Sequence, residues 1–307
     1  MDASTRVHIW RGTAAITLGA PDLEATFLPD LGMLGASLRH RGDELLVLPK
    51  GLVSYRAGHQ AGLPLLAPWA NRLGGRRYEI DGVAVDLSGL ALSTDDNGLP
   101  IHGTMTAQPG WEIQRLEPGV LSVRFDYGTR TDLLAAFPFP HELVVVASVG
   151  GGSLSLTTTL RPTADRAVPI AFGWHPYLRI PGVPRRSWRL QLPACHHIEL
   201  DGRGLPTGRS TEQPAEALPL GARTFDDLYA LTNDREIALE GGGRRVAVSY
   251  AEGYPYAQLF VPPRRSFACV EAMAAATNCL GIGACPLVQP GDVHTSRFAI
   301  TPSFVGS

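Results

Sequence analysis

The sequence predicts an all-β fold of the sandwich or barrel type. Turn formers are one reason: 34 Gly and 25 Pro are spread along the 307 residues and leave almost no room for helices of ordinary length. Short apolar or alternating runs between those turn formers are the other, as expected for strands joined by tight turns. In chain order, residues 14–18 stop at Gly19 and residues 45–48 stop at Pro49. Residues 121–127 lie between Gly119 and Gly128, and residues 142–148 carry the β-branched run Val144-Val145-Val146. Residues 154–160 largely alternate, so one face packs and the other is polar. Residues 188–192 stop at Pro193, Tyr256–Val261 lies between Pro255 and Pro262, and residues 296–301 stop at Pro302. Residues 245–250 complete the set. Gly150-Gly151-Gly152 and Gly241-Gly242-Gly243 read as hairpin turns, where glycine adopts positive φ. Neither precedes a helix whose N-terminus could cradle a phosphate.

Composition narrows the function classes. Lys+Arg 27 against Asp+Glu 29 gives a net charge of -2, which argues against a nucleic-acid or membrane-surface partner. No apolar stretch approaches the roughly 18 residues that cross a bilayer. The first eight residues contain no apolar signal region. The expectation is therefore a soluble cytoplasmic protein with its four cysteines, at 195, 269, 279 and 285, reduced. None forms a Cys-x-x-Cys pair, so a zinc knuckle is not expected. Cys195-His196-His197 is set aside as a metal site, because three consecutive strand residues cannot aim at one ion. No linker or clear internal repeat divides the chain, and residues 1–307 read as one domain.

Five constellations could carry chemistry. Pro68-Trp69-Ala70-Asn71-Arg72 ends an apolar run beside Gly74-Gly75, so Arg72 would offer its donor fork at a pocket rim or tie down a loop. In Ile101-His102-Gly103, the small glycine leaves the imidazole free to enter a cavity. Gly173-Trp174-His175-Pro176-Tyr177 is stronger. Pro176 biases His175 toward an extended backbone, so the ring projects from a strand end with aromatic neighbours available for stacking. Phe225-Asp226-Asp227-Leu228-Tyr229 has two acids that face opposite ways on a strand, so only one can serve a pocket. Glu271 is isolated in the apolar run Phe267-Ala268-Cys269-Val270-Glu271-Ala272-Met273, and such a carboxylate is costly to bury unless paired or functional. Asn278 is placed to fix the loop that follows.

Those segments occur in the order, and with roughly the spacing, of the aldose 1-epimerase (galactose mutarotase) family, which the chain resembles from about residue 14 to residue 301. The resemblance implies a large antiparallel β-supersandwich, a sugar substrate, and no metal or organic cofactor. It implies His175 as general acid and Glu271 as general base. Arg72, His102 and Asp226 follow as substrate-binding groups, with Asn71, Tyr177 and Gln258 added to them. Two departures, Asp226-Asp227 where relatives have Asp-His and Glu271-Ala272 where they have Glu-Pro, mark a divergent member and leave the sugar open.

The function expected is interconversion of the α and β anomers of an aldohexose. His175 and Glu271 would face each other across a hollow wide enough for a pyranose. A mutarotase for phosphorylated hexoses is the alternative within the fold, with Arg185-Arg186 or Arg264-Arg265 to hold the phosphate. A non-catalytic carbohydrate-binding module would instead use Trp69, Trp174 and Tyr177 and dispense with the pair. A glycoside hydrolase would want two flanking carboxylates, for which Glu271 and Asp226 are the candidates.

Overall fold

The computed structural model describes residues 2–305. Strands dominate, and the helices are short, such as Gly51–Arg56 and Thr131–Leu134. Three large antiparallel sheets share one apolar core. A five-stranded sheet is built from consecutive N-terminal strands between Ser4–Trp10 and Asp43–Glu44. A nine-stranded sheet has the long strands Arg244–Glu252, His294–Phe304, Ser153–Pro162 and His141–Gly150 at its centre. An eight-stranded sheet carries the site; its middle runs Cys195–Leu200, Phe225–Leu231, Tyr256–Val261, Ala268–Met273.

Alternation explains the central nine-stranded region. In Ser153–Pro162, Leu154, Leu156, Thr158 and Leu160 are buried, and the residues between them are half-buried. Leu143, Val145, Ala147 and Val149 do the same on the paired strand. Both glycine triplets close hairpins, with Gly151 and Gly152 at φ 55° and 77° and Gly242 and Gly243 at φ 58° and 73°.

Several elements differ from expectation. Residues 45–48 are no regular strand; Val47 N–H donates to Tyr177 O at 2.9 Å, and Leu46 makes a lone bridge to Leu178. Strands also form where the sequence shows no period. Leu34–His40 is buried on both faces, and Pro206–Gln213 is almost wholly exposed. The cysteines are corrected too. Cys279 and Cys285 form a disulfide, because the chain turns back between them and Ala284 N–H donates to Cys279 O at 2.8 Å. Cys195 and Cys269 are free and buried. No helix among the described residues is long and apolar enough to cross a membrane.

Candidate active site

Strand register builds the floor of the site. Gln258 pairs with Glu271 and with Leu228, while Phe260 pairs with Cys269 and with Asp226. Residues two apart on a strand share a face, so Asp226, Gln258, Phe260, Cys269 and Glu271 lie together on one face of the eight-stranded sheet. Val270 and Ala272 lie on the other face, in the main core. The acid in the apolar run is therefore the one residue of its strand whose side chain brings charge to the site face.

His175 reaches the same place by breaking a strand. Gly173–Trp174 and Tyr177–Leu178 both pair with Ala268–Met273, and His175-Pro176 bridges the gap between them. His175 Nε2 lies 3.0 Å from Glu271 Oε1, and the two side chains are only 4% and 2% exposed. Tyr177 stacks on the imidazole at 4.7 Å and 15°, and His102 meets it edge-on at 5.3 Å. Burial pushes the Tyr177 phenol well above its ordinary range, with Cys269 and Glu271 adding to the effect.

Two loops supply the rest. Ala67 and Gly103 form a bridge, as do Arg72 and Ile101, and the chain between Ala67 and Arg72 includes a cis Ala67-Pro68 peptide. A Cβ on Gly103 would stand 2.2 Å from Ala67 O, and its φ is 66°, so only glycine fits there. His102 Nδ1 accepts the Asn71 N–H at 3.3 Å. Burial holds this imidazole well below its usual range, with His175 and Arg72 adding to the effect. A neutral ring that accepts at Nδ1 carries its proton on Nε2 and is a donor there. Asn71 Oδ1 accepts Arg72 N–H at 2.9 Å and Nη1 at 3.2 Å. Arg72 Nε donates to Asp95 Oδ2 at 2.8 Å, and Nη2 donates to Asp226 Oδ2 at 2.9 Å. Burial works against the guanidinium charge, but Asp226 and Asp95 outweigh it and raise its pKa.

Asn71, Arg72, His102, His175, Tyr177, Asp226 and Glu271 line one cavity of about 240 Å³. A somewhat larger one, about 320 Å³, adjoins it at Gly58 and Ser93 and contains neither an imidazole nor a glutamate. Around the cavity that holds His175 and Glu271, His175 Nδ1, Glu271 Oε2 and Gln60 Oε1 are buried polar atoms without a hydrogen-bond partner, and a polar ligand would satisfy such groups.

Three sequence-based placements change, and the open choice between two adjacent aspartates is decided. Gln258 lies outside the cavity wall, where its Nε2 donates to Asp226 Oδ1 at 2.6 Å. Asp226, not Asp227, faces the site; Asp227 turns to His197 Nε2 at 3.0 Å. Trp69 and Trp174 are 1% and 0% exposed and absent from the cavity. Trp174 pairs with Ala272, so its ring enters the core, where Nε1 donates to Thr158 Oγ1 at 3.0 Å. His175 and Glu271 touch along one wall and do not face each other across the hollow. Asp95, Gln60, His59 and Phe260 also line the cavity, and sequence reasoning missed them. Asp95 heads an Asp-Asp-Asn-Gly turn and accepts the N–H groups of Asn97 and Leu99, each at 2.9 Å. That turn signal was available, but it did not show that the second carboxylate oxygen meets Arg72.

A family profile described as Aldose 1-epimerase matches residues 15–301. No curated protein matches the chain. Among solved structures, a galactose mutarotase-like protein from Clostridium acetobutylicum is 18% identical, with 99% of each chain covered and a TM-score of 0.88. An aldose epimerase homologue from C. elegans is 16% identical, with 93% of this chain and 97% of that one covered and a TM-score of 0.77. A galactose 1-epimerase from Lactobacillus acidophilus NCFM is 14% identical, with 99% of each covered and a TM-score of 0.76. At these identities the likeness is one of fold.

Proposed function

The chain belongs to the aldose 1-epimerase family, and on that premise we propose that it interconverts the α and β anomers of an aldohexose by acid–base opening and closing of the ring. Membership makes it an epimerase-type isomerase that acts on a small sugar. In the proposed reaction, Glu271 takes the proton of the C1 hydroxyl while His175 protonates the ring oxygen. The bond from C1 to the ring oxygen breaks, its electron pair leaves with that oxygen, and C1 becomes a carbonyl. Rotation about the C1–C2 bond presents the other face. On closure the C5 hydroxyl returns its proton to His175 and attacks C1, and Glu271 returns its proton to the carbonyl oxygen. The protein ends the cycle with the protons it began with.

The observation that carries this reading is the 3.0 Å contact of His175 with Glu271 in the wall of a cavity of about 240 Å³. Both reacting oxygens are bonded to the same carbon, so an acid and a base held this close together can reach both. Arg72 and the Nε2–H of His102 offer donors to the remaining hydroxyls, and Asp226 offers acceptors. Asn71 orients Arg72, Tyr177 backs the imidazole, and Gln258 acts by holding Asp226. The test is the optical rotation of freshly dissolved α-glucose or α-galactose. The protein should speed the approach to equilibrium, and His175→Asn should slow it by about 10²–10⁴-fold. A wild-type rate in that variant removes the imidazole from the reaction.

A further inference from the structure

The loop that follows the Glu271 strand, residues 274–286, takes no part in the proposed reaction, yet it touches the segments of both His175 and Arg72. Ala274 N–H donates to Phe172 O at 3.0 Å, and Ile170 N–H donates to Pro286 O at 2.8 Å, so both ends of the loop are tied to the chain that leads into His175. Its middle reaches the Arg72 turn. Asn278 Oδ1 accepts the N–H of Gly74, 204 residues earlier, at 2.6 Å. The loop is braced to hold that contact. The Cys279–Cys285 disulfide closes it, and the N–H groups of Cys279 and Ile282 donate within it to Ala276 O and Asn278 O, each at 3.2 Å. Asn278 itself stands at φ 66°, a left-handed conformation that asparagine tolerates better than most side chains. Two glycines are shaped around its amide. A Cβ on Gly74 would stand 3.0 Å from Asn278 Nδ2, and one on Gly281 would stand 2.0 Å from Oδ1. Neither glycine has a positive φ, so their backbones do not require glycine; room for the Asn278 side chain does.

We propose that Asn278 is a positioning residue for Arg72. The inference rests on the mutarotase reading for what the guanidinium binds and adds to it how the guanidinium is aimed. On one side the turn is already fixed, because Leu73 N–H donates to Pro100 O at 2.8 Å and Arg72 bridges Ile101. Its exit, Gly74-Gly75, has no side chain to pack, and Asn278 supplies the anchor there. Held on both sides, the turn presents a guanidinium that meets Asp95 and Asp226 at 2.8 Å and 2.9 Å before any sugar enters. A donor ordered in advance binds more tightly, because less side-chain freedom is lost on binding. Asn278 belongs neither to the His175–Glu271 contact nor to the cavity wall, so its effect falls on binding and not on proton transfer.

The test measures kcat and KM for α-glucose by optical rotation. Asn278→Gly keeps the left-handed turn and removes the acceptor, whereas Asn278→Asp keeps both. In Asn278→Gly, KM should rise about tenfold, the worth of one hydrogen bond, with a smaller change in kcat. Asn278→Asp should restore the wild-type KM. Gly74→Ala presses on the amide from the other side and should raise KM as well, but it should add nothing in the Asn278→Gly background, where the new methyl has room. An unchanged KM in Asn278→Gly, a raised KM that Asn278→Asp does not restore, or additive effects of the two substitutions overturns the inference. If Asn278→Gly does not fold, an unchanged KM in Gly74→Ala overturns it and a raised one supports it. Exchange of the Arg72 Nε–H with water, followed by heteronuclear NMR and assigned by its loss in Arg72→Lys, needs no sugar and so separates this role from the mutarotase reading. Faster exchange in Asn278→Gly that Asn278→Asp reverses, in a protein that turns over no aldose, keeps the positioning role and rejects the reaction. Turnover of glucose with KM and exchange both unchanged in Asn278→Gly keeps the reaction and rejects the role.

Discussion

Glu271→Gln is the sharpest perturbation of the proposed pair, because it changes chemistry while holding shape. Glu271 is 2% exposed, and its Oε1 lies 3.0 Å from His175 Nε2. A glutamine fills the same volume, and its carbonyl oxygen can still accept from the imidazole. The backbone is held independently, since Tyr250 OH donates to Glu271 O at 3.3 Å and the strand pairs with Tyr256–Val261. What the amide cannot do is accept the C1 proton. Loss of a positioned base costs about 10²–10⁴ in rate, or about 3–5 kcal/mol of barrier. Stability should move the other way or not at all. The variant replaces a buried carboxylate, one of whose oxygens has no partner, with a neutral group that is easier to bury. A change under about 1 kcal/mol keeps Tm within about 2–4 °C in a large domain. Exchange NMR on α- and β-glucose gives the rate, and thermal unfolding followed by circular dichroism gives the control. A folded variant that exchanges anomers within a few-fold of wild type refutes the assignment of Glu271 as base.

Three further outcomes are expected. His141 is 1% exposed, stacks on Tyr127 at 4.5 Å, and is pushed by burial down to about 4. The unfolded chain, whose histidines titrate near about 6.5, then takes up this proton first, so stability is intact above about pH 6.5 and falls at about 1.4 kcal/mol per pH unit toward about pH 4. Urea midpoints across that range should fall less steeply in His141→Phe, and parallel pH curves for the two proteins would rule the mechanism out. Asp95→Asn keeps the turn but weakens the hold on Arg72 Nε; KM should rise about tenfold with a smaller change in kcat, and unchanged steady-state kinetics would show that Asp226 alone suffices. Cys279→Ser opens the loop closed over a separation of 6 residues and should lower stability by about 2 kcal/mol, read as the shift in urea midpoint, with no shift counting against any contribution from the bridge.

The strands legible in the sequence were those with one wet face, such as Ser153–Pro162, whose alternation survives because its neighbours cover only one side. Ala268–Met273 is buried on both faces and shows only an apolar run, so its register, and hence which way Glu271 points, could not be read from it. Pro206–Gln213 is paired on one side only and exposed, so selection for packing leaves no period in it.

The identity of the acid and base candidates was a property of the chain: a histidine before proline, and a lone acid among apolar neighbours, are visible one residue at a time. Which aromatic ring lines the cavity, which of two adjacent aspartates turns inward, and that Gln258 supports Asp226 from behind were decided by the pairing of strands. A shift of one residue exchanges the two faces of a sheet, and that register is set by contacts between segments far apart in the chain.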